Sequence, residues 1–208
     1  MTVTLYAATT NPGKLRDFSV AAAESGFVIE PPPDFKQISP PPENEPTFAG
    51  NARVKALYYS RFIPGLVLAD DSGLEVDALG GEPGVRSARF AQDAGYEPRG
   101  TGPGLTDDER NNLYLLSRLR GVTDRTARYR CALAVARDGQ LLLTAEGTVS
   151  GEILPAARGN GGFGYDPLFW IPQLKFTMAE ISLEQKHALS HRGRAFRALL
   201  PRLTQLTH

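Results

Sequence analysis

The chain has 208 residues, of which 41% are hydrophobic and 22% charged, enough for one sizeable core. The chain has 23 basic residues (lysine and arginine) and 23 acidic ones (aspartate and glutamate). This balance excludes a protein that binds nucleic acid through a generally basic surface, but it does not exclude a local basic patch. The lone Cys131 excludes an intramolecular disulfide. We expect a cytoplasmic protein, because residues 1–10 do not resemble a secretory signal and no apolar run approaches ~18 residues.

The first part of the chain alternates strand and helix signals. Val3–Ala8 is predicted as a strand, and apolar residues at helical spacing predict a helix over Lys14–Ser25. Pro31–Pro46 contains seven prolines in sixteen positions, which predicts a long loop beside a site. A second helix is predicted over Thr47–Phe62. Leu66–Ala69 is predicted as a buried strand that stops at the Asp-Asp-Ser-Gly that follows it.

The middle of the chain combines a glycine-rich and proline-rich stretch with a hairpin. Residues 80–104 are assigned mostly to loop. Thr106 and Glu109 have the spacing of a capping box, which predicts a helix start. Arg128–Ala136 and Gln140–Val149 flank an Asp-Gly pair, the strongest short signal for a hairpin.

The C-terminal segment reads as helical. Ser182 begins a second capping-box match, and Phe196 and Leu203 belong to an apolar stripe at helical spacing. Pro201 lies inside that stripe and predicts a kink or a break near Leu200. Strands, a hairpin and interleaved helices together predict an α/β fold with a mixed sheet.

The first chemical motif lies between the first strand and the first helix. A phosphate chain is bound by backbone N–H groups, hydroxyls and a cation at a helix start, and this turn supplies such groups. Its residues are Thr9, Thr10, Asn11, Pro12, Gly13 and Lys14. It is not a Walker A motif. A plain strand-to-helix turn with a solvated lysine is the alternative.

The second motif is the acidic pair Asp70 and Asp71, followed by Ser72 and Gly73. Neighbouring carboxylates at a strand end point in different directions, so one can bind Mg²⁺ while the other orients or deprotonates a water. Ordinary turn chemistry explains the same residues equally well. Spacing alone leaves both interpretations open.

The third motif is glycine-rich and runs from Gly161 to Pro167. Glycines around Phe163 would let its ring face stack on a planar base, and Asp166 would accept a hydrogen bond from the ligand. A glycine-rich loop with a core aromatic is the alternative that spacing favours.

The fourth motif gathers donors near the start of the last helix: Lys186, His191 and Arg192. These side chains could bind phosphate or a carbonyl oxygen. A charged helix start facing solvent is the alternative.

Together the four motifs resemble the inosine/xanthosine triphosphate pyrophosphatases, the family that hydrolyses non-canonical purine nucleoside triphosphates. The resemblance runs from residue 8 to residue 196. The matching stretches are ATTNPGK, TFAGNARVKA, LADDSGLEVDALGGEPGVRSARFA, GGFGYDPLF and TMAEISLEQKHALSHRGRAF.

The resemblance implies one domain over residues 1–208, with an elongated mixed sheet flanked by helices and two lobes around a cleft. It implies a Mg²⁺-dependent hydrolase that converts ITP, dITP or XTP to the monophosphate and pyrophosphate, and so cleanses the nucleotide pool. It also implies a homodimer, with neither a nucleic acid nor a membrane as partner.

The resemblance assigns a role to each motif. Asp71 would be the proton acceptor and a metal ligand, with Asp70 and Glu43 as further metal carboxylates. The residues that would bind substrate are Thr9, Thr10, Asn11, Pro12, Gly13, Lys14, Ser72, Phe163, Gly164, Tyr165, Asp166, Lys186, His191 and Arg192.

The chain departs from the family pattern at three places. The loop around Glu43 lacks the usual acidic-Gly pattern, Gly50 replaces a common glutamate, and Gly95–Leu105 is unusually rich in glycine and proline. A general dNTP pyrophosphatase with another base preference and a catalytically silent nucleotide-binding module are the competing hypotheses. A nucleic-acid binder is weaker because the net charge is zero.

Overall fold

Strands and helices alternate along the chain. The structure is a computed structural model that describes residues 3–23, 25–98 and 104–207. The strands are β1 (Val3–Ala7), β2 (Phe27–Glu30), β3 (Leu66–Val76), β4 (Thr126–Arg137), β5 (Gln140–Ile153), β6 (Phe169–Ile171) and β7 (Phe176–Thr177). The α-helices are α1 (Pro12–Ala22), α2 (Phe48–Tyr59), α3 (Phe90–Asp93), α4 (Asp107–Arg118), α5 (Leu183–Leu189) and α6 (His191–Thr207). Short 3₁₀ helices cover Phe35–Gln37, Asp77–Leu79 and Gly84–Arg89.

The described strands form one mixed sheet in the order β2-β1-β3-β4-β5-β6-β7. β1 runs parallel to both β2 and β3, whereas β6 runs antiparallel to both β5 and β7. The predicted α/β fold with a mixed sheet is therefore confirmed. None of the described helices has the length and the hydrophobicity that crossing a membrane requires.

The hairpin prediction is also confirmed. β4 and β5 are neighbours in the sheet and are joined by Asp138 and Gly139. Both turn residues have positive φ, 53° and 74°. A two-residue turn of this kind matches the twist of the strands that it joins.

The chain packs into two compact units. The first contains the residues up to Ser72, Arg130–Thr148 and the residues from Leu183 on. The second contains Gly73–Tyr129 and Val149–Ser182. The expected cleft and the expected single domain stay predictions.

The core of the first unit packs α1 and α6 against one face of the sheet. Phe18 and Phe196 are almost fully buried there, with ring centroids 6.3 Å apart. Leu66 and Leu68 of β3 belong to the same cluster. Because side chains alternate along a strand, the next residue on that face is Asp70.

The core of the second unit surrounds α4 and β6. Leu115 of α4 and Phe169 of β6 are fully buried, and Tyr165 lies in the same cluster. This core anchors α4, whose opposite side carries polar residues.

The prediction that the third strand stops at Asp70 is wrong, since β3 continues through Asp70–Gly73 to Val76. A carboxylate can lie in a buried strand only when cations or other donors satisfy it. Lys14 meets Asp70, and Lys55 and Asn51 meet Asp71. The sequence pattern showed the acids but not their partners.

The predicted break near Leu200 is also wrong, because α6 continues through Pro201 to Thr207. Leu199 and Leu203 are fully buried on either side of the proline. Packing of that apolar face offsets the backbone hydrogen bond that a proline removes.

The assignment of residues 80–104 mostly to loop is wrong for Gly84–Asp93, which is helical. Asn111 of α4 satisfies this segment by accepting from the Ala91 N–H and donating to the Ala88 carbonyl. Such support from a distant helix is not visible in local composition. Of the unusual Gly95–Leu105 stretch, residues 99–103 lie outside the described residues.

Candidate active site

The turn between β1 and α1 is held by its own side chains. The Asn11 side-chain oxygen caps α1 by accepting from the backbone N–H groups of Gly13 and Lys14, at 2.8 and 3.1 Å. Thr9 Oγ1 accepts from the Asn11 N–H, and Pro12 occupies the first helical position, where a missing N–H costs least. The turn therefore forms a preorganised helix start, with Thr10 exposed.

Lys14 points from this helix start to Asp70. Its Nζ lies 2.9 Å from Asp70 Oδ2, and the Asp70 side chain is only 2% exposed. Burial raises the pKa of Asp70, but the Lys14 ammonium and then the Arg192 guanidinium outweigh that effect and lower the pKa to about 2. Asp70 is therefore ionised and acts as a counter-ion for two cations.

Arg192 approaches the same carboxylate from α6. Its Nη2 donates to Ser72 Oγ at 2.9 Å, and Ser72 Oγ donates to Asp70 Oδ2 at 3.1 Å. Arg192 Nη1 also donates to Asp17 of α1 at 3.3 Å. Helices α1 and α6 thus deliver one cation each to the same buried carboxylate.

Asp71 faces the other side of β3, where α2 lies. Asn51 Nδ2 donates to Asp71 Oδ2 at 3.0 Å, and Lys55 Nζ lies 3.4 Å from Oδ1. Burial raises the pKa of Asp71, while Lys55 and Asn51 oppose that rise. We call Lys14, Lys55, Asp70, Asp71 and Arg192 the charged cluster.

Lys55 also reaches the proline-rich loop, because its Nζ lies 3.1 Å from Glu43 Oε2. Burial lowers the pKa of Lys55, but Asp71, Asp70 and Glu43 together leave it raised, so the side chain is an ammonium. Two carboxylates that the resemblance assigns to a metal therefore converge on one cation.

His191 is buried beside further positive charge. Burial and then the charges of Arg192, Lys186 and Lys14 hold the pKa of His191 well below its usual value. The imidazole is therefore neutral, able to donate from one nitrogen and to accept at the other. Lys186, His191 and Arg192 are all nearly fully buried, which contradicts a solvated helix start.

The loop of residues 161–166, which we call the Phe163 loop, belongs to the second unit. Asp166 Oδ2 accepts from the Phe163 N–H at 2.9 Å, and the Tyr165 hydroxyl donates to the Ser87 carbonyl at 2.8 Å. Tyr165 is buried, whereas Phe163 is only partly buried. Nucleoside contacts of Phe163, Gly164, Tyr165 and Asp166 stay predictions, as does a pocket shared with the charged cluster.

The donor set suits a metal that keeps waters and substrate oxygens as ligands. No group of three or more acidic, histidine or cysteine side chains forms a metal cage within the described ranges. Asp71 and Glu43 supply carboxylate oxygens, and Mg²⁺ is commonly bound by one or two carboxylates together with substrate phosphates. The residues present therefore fit Mg²⁺ without forming a closed site.

Sequence reasoning missed Asn51, Lys55 and Asp17. All three are buried polar residues on the inner faces of helices. Asn51 and Lys55 are four residues apart, and Asp17 follows Lys14 by three, so each pair shares a helix face. The signal that could have revealed them is the helical spacing of these polar residues, three or four positions apart, next to the buried apolar positions of the same helices.

The departure at Gly50 has a local explanation. A Cβ placed on Gly50 would lie 2.8 Å from Glu45 Cβ, closer than van der Waals contact allows. Asn51 holds the backbone of Glu45 by accepting from its N–H and donating to its carbonyl. A side chain at position 50 would displace Glu45.

Comparisons with known proteins agree with the resemblance. The model of the Ham1 family matches residues 5–202. The dITP/XTP pyrophosphatase of Acidobacterium capsulatum is 61% identical over 98% of this chain and 99% of its own length. The Ham1 protein of Staphylococcus aureus has 36% identity and a TM-score of 0.80 over 98% of this chain and 99% of its own. A HAM1 protein from Coxiella burnetii has 32% identity and a TM-score of 0.81 over 98% and 100%.

Proposed function

The chain belongs to the Ham1 family, and from that premise we propose that it hydrolyses non-canonical purine nucleoside triphosphates to the monophosphate and pyrophosphate. The substrates are ITP, dITP and XTP. The dITP/XTP pyrophosphatase name of the relative at 61% identity supports this choice. The activity removes deaminated purines from the nucleotide pool.

One structural observation carries the proposal: two adjacent buried carboxylates on opposite faces of β3 are each held by cations from neighbouring helices. Asp70 meets Lys14 and Arg192, and Asp71 meets Lys55. Hydrolysis of a triphosphate needs cations to neutralise the phosphates and a base to activate water. Phosphate neutralisation is assigned to the Asp70 side of β3, and activation of water is assigned to the Asp71 side.

Lys14 and Arg192 bind the β- and γ-phosphates and stabilise the leaving pyrophosphate. Asp70 and Ser72 hold both cations in place before substrate arrives. Preorganised charges of this kind need little rearrangement as negative charge develops. The capped turn from Thr9 to Gly13 places Lys14 at the helix start.

Asp71 accepts a proton from a water that attacks the α-phosphorus. The new bond joins the water oxygen to that phosphorus, and the bond to the bridging oxygen of the β-phosphate breaks, so pyrophosphate leaves. Asn51 and Lys55 orient the Asp71 carboxylate from α2. Asp71, Glu43 and Asp70 would hold Mg²⁺, which would supply further neutralisation of the phosphate oxygens.

Selectivity for the purine rests on hydrogen-bond donors that face the substituent at position 6 of the ring. A 6-keto oxygen accepts from Lys186 or His191, whereas the 6-amino group of adenine leaves such a donor unpaired. An unpaired buried donor costs about 1–3 kcal/mol. ATP should therefore react about 10- to 100-fold more slowly for each lost hydrogen bond.

A substrate panel tests the proposal. Pyrophosphate release is measured from ITP, XTP, dUTP, ATP and GTP, with Mg²⁺ and with EDTA. We expect ITP and XTP to exceed ATP by at least about tenfold and EDTA to abolish release. Equal rates on ATP and ITP would reject the base preference and favour a general dNTP pyrophosphatase. No release from any nucleotide would favour a silent binding module.

A homodimer and a cytoplasmic location complete the proposal. The resemblance supports the dimer, and free nucleotide substrates support the cytoplasm. Light scattering should give twice the mass of one chain. Equal numbers of acidic and basic residues support the absence of a nucleic-acid partner.

A further inference from the structure

Both backbone polar groups of Gly164 are held by one helix. The Gly164 N–H donates to Asp108 Oδ2 at 2.7 Å, and Asn112 Nδ2 donates to the Gly164 carbonyl at 2.9 Å. Asp108 and Asn112 are four residues apart on α4, so they share one face of the helix. The N–H and the carbonyl of the residue next to Phe163 are therefore both hydrogen-bonded to α4.

The helix that makes these hydrogen bonds is itself fixed. Thr106 Oγ1 accepts from the Glu109 N–H at 3.2 Å, and Glu109 Oε2 accepts from the Thr106 N–H at 2.8 Å. This capping box sets the first turn, in which Asp108 lies. Leu115 is fully buried and anchors the rest of the helix in the core of the second unit.

A second path joins α4 to the far side of the same loop. Asn111 holds the helical segment before α4 through Ala88 and Ala91. The Ser87 carbonyl of that segment accepts from the Tyr165 hydroxyl. The Phe163 loop is thus tied to α4 directly at Gly164 and indirectly at Tyr165.

We propose that Asp108 and Asn112 are positioning residues that fix the Phe163 loop for purine binding. This role rests on the proposed function, in which Phe163 stacks on the base. Neither residue needs to touch substrate, because each acts through the backbone of Gly164. The helix α4 thereby sets how firmly the base is held.

The proposal predicts which kinetic parameter changes. Phe163 would contact the base, not the α-phosphorus, so its placement affects ground state and transition state alike. Loss of such uniform binding raises KM and leaves kcat unchanged. A loss of general stability would lower the active fraction and therefore kcat.

The test compares Asp108→Ala with Asp107→Ala. Both variants remove one carboxylate from the first turn of α4, so both lose the same favourable charge at the helix start. Asp107 is 84% exposed and pairs only with Arg110 among the described contacts. We expect Asp108→Ala to raise KM for ITP about tenfold with kcat within about twofold, and Asp107→Ala to leave both within about twofold.

A second readout does not depend on activity. Backbone amide exchange at Gly164, followed by NMR on the full chain, should be at least about tenfold faster in Asp108→Ala than in Asp107→Ala. Asp108→Asn keeps an acceptor oxygen and should restore most of the KM and of the protection. If Asp108→Ala does not fold by circular dichroism, Asn112→Ala must show the same rise in KM.

Equal KM values and equal Gly164 exchange in the two aspartate variants would overturn the proposal. So would a fall in kcat with unchanged KM in Asp108→Ala. If the wild-type protein releases no pyrophosphate from any nucleotide, the proposed function fails. Amide exchange at Gly164 still decides in that case whether α4 holds the loop.

Discussion

The charged cluster and the Phe163 loop are built by opposite means. Ion pairs with buried carboxylates position the first, such as Lys14 with Asp70 at 2.9 Å. Backbone hydrogen bonds position the second, such as the Gly164 N–H with Asp108. Substitutions in the charged cluster should therefore affect the chemical step, whereas substitutions around the loop should affect binding.

The largest effect is expected from Asp71→Asn. The variant keeps the size of the side chain but removes the proposed base, so kcat for ITP should fall about 10³-fold. Steady-state pyrophosphate release measures this. Glu146→Gln removes an exposed carboxylate of the same unit and should leave kcat unchanged. A kcat near wild type in Asp71→Asn would show that Asp71 is not the base.

A smaller loss is expected from Lys55→Met. Asp71 and Glu43 then lose their shared cation, so kcat should fall about 100-fold and the midpoint of urea unfolding should also fall. Arg53→Met is the matched control because Arg53 lies on the exposed side of α2. Equal kinetics in the two variants would contradict the role of Lys55.

The pH dependence of stability should report the burial of His191 and the positive charges beside it. Its folded-state pKa lies well below the ordinary value of about 6.5, so only the unfolded chain binds a proton as the pH falls below 6.5. The contribution of neutral His191 to the free energy of unfolding is therefore fully present above pH 6.5 and is lost as the pH falls below it. Urea unfolding should show a loss of about 1.4 kcal/mol from this group at pH 5.5. The loss should vanish in His191→Gln, and an identical pH slope in both proteins would refute it.

The smallest effects are expected from removing the N-cap of the helix that supports each region. Thr106→Ala and Thr47→Ala each remove an N-cap, of α4 and α2, and should each cost about 1 kcal/mol in free energy of unfolding. Thr106→Ala should raise KM for ITP about twofold, whereas Thr47→Ala should lower kcat, because α2 carries Lys55. The opposite pattern would contradict the division between chemistry and binding.

The sequence predicted the charged residues better than their supports. Lys14, Asp70, Asp71 and Arg192 could be proposed because phosphate and metal chemistry demand these residue types at a strand end or helix start. Asn51 and Lys55 escaped notice because a lysine in a helix is usually solvated. Their role depends on which face of α2 meets β3, and a tertiary contact decides that.

Long-range contacts also explain why two secondary-structure predictions were wrong. β3 passes through Asp70–Gly73 because cations from three helices satisfy its carboxylates, and no local pattern shows those partners. α6 passes through Pro201 because Leu199 and Leu203 are buried on the same core. Local signals without such competition, such as the Asp138-Gly139 hairpin and the Thr106 capping box, were predicted correctly.

The central claim is that water attacks the α-phosphorus of a deaminated purine triphosphate. Hydrolysis of ITP in ¹⁸O-labelled water, followed by mass spectrometry of the products, tests this directly. We predict that the label appears in inosine monophosphate and is absent from pyrophosphate. Label in pyrophosphate, or release of orthophosphate with inosine diphosphate, would contradict the account.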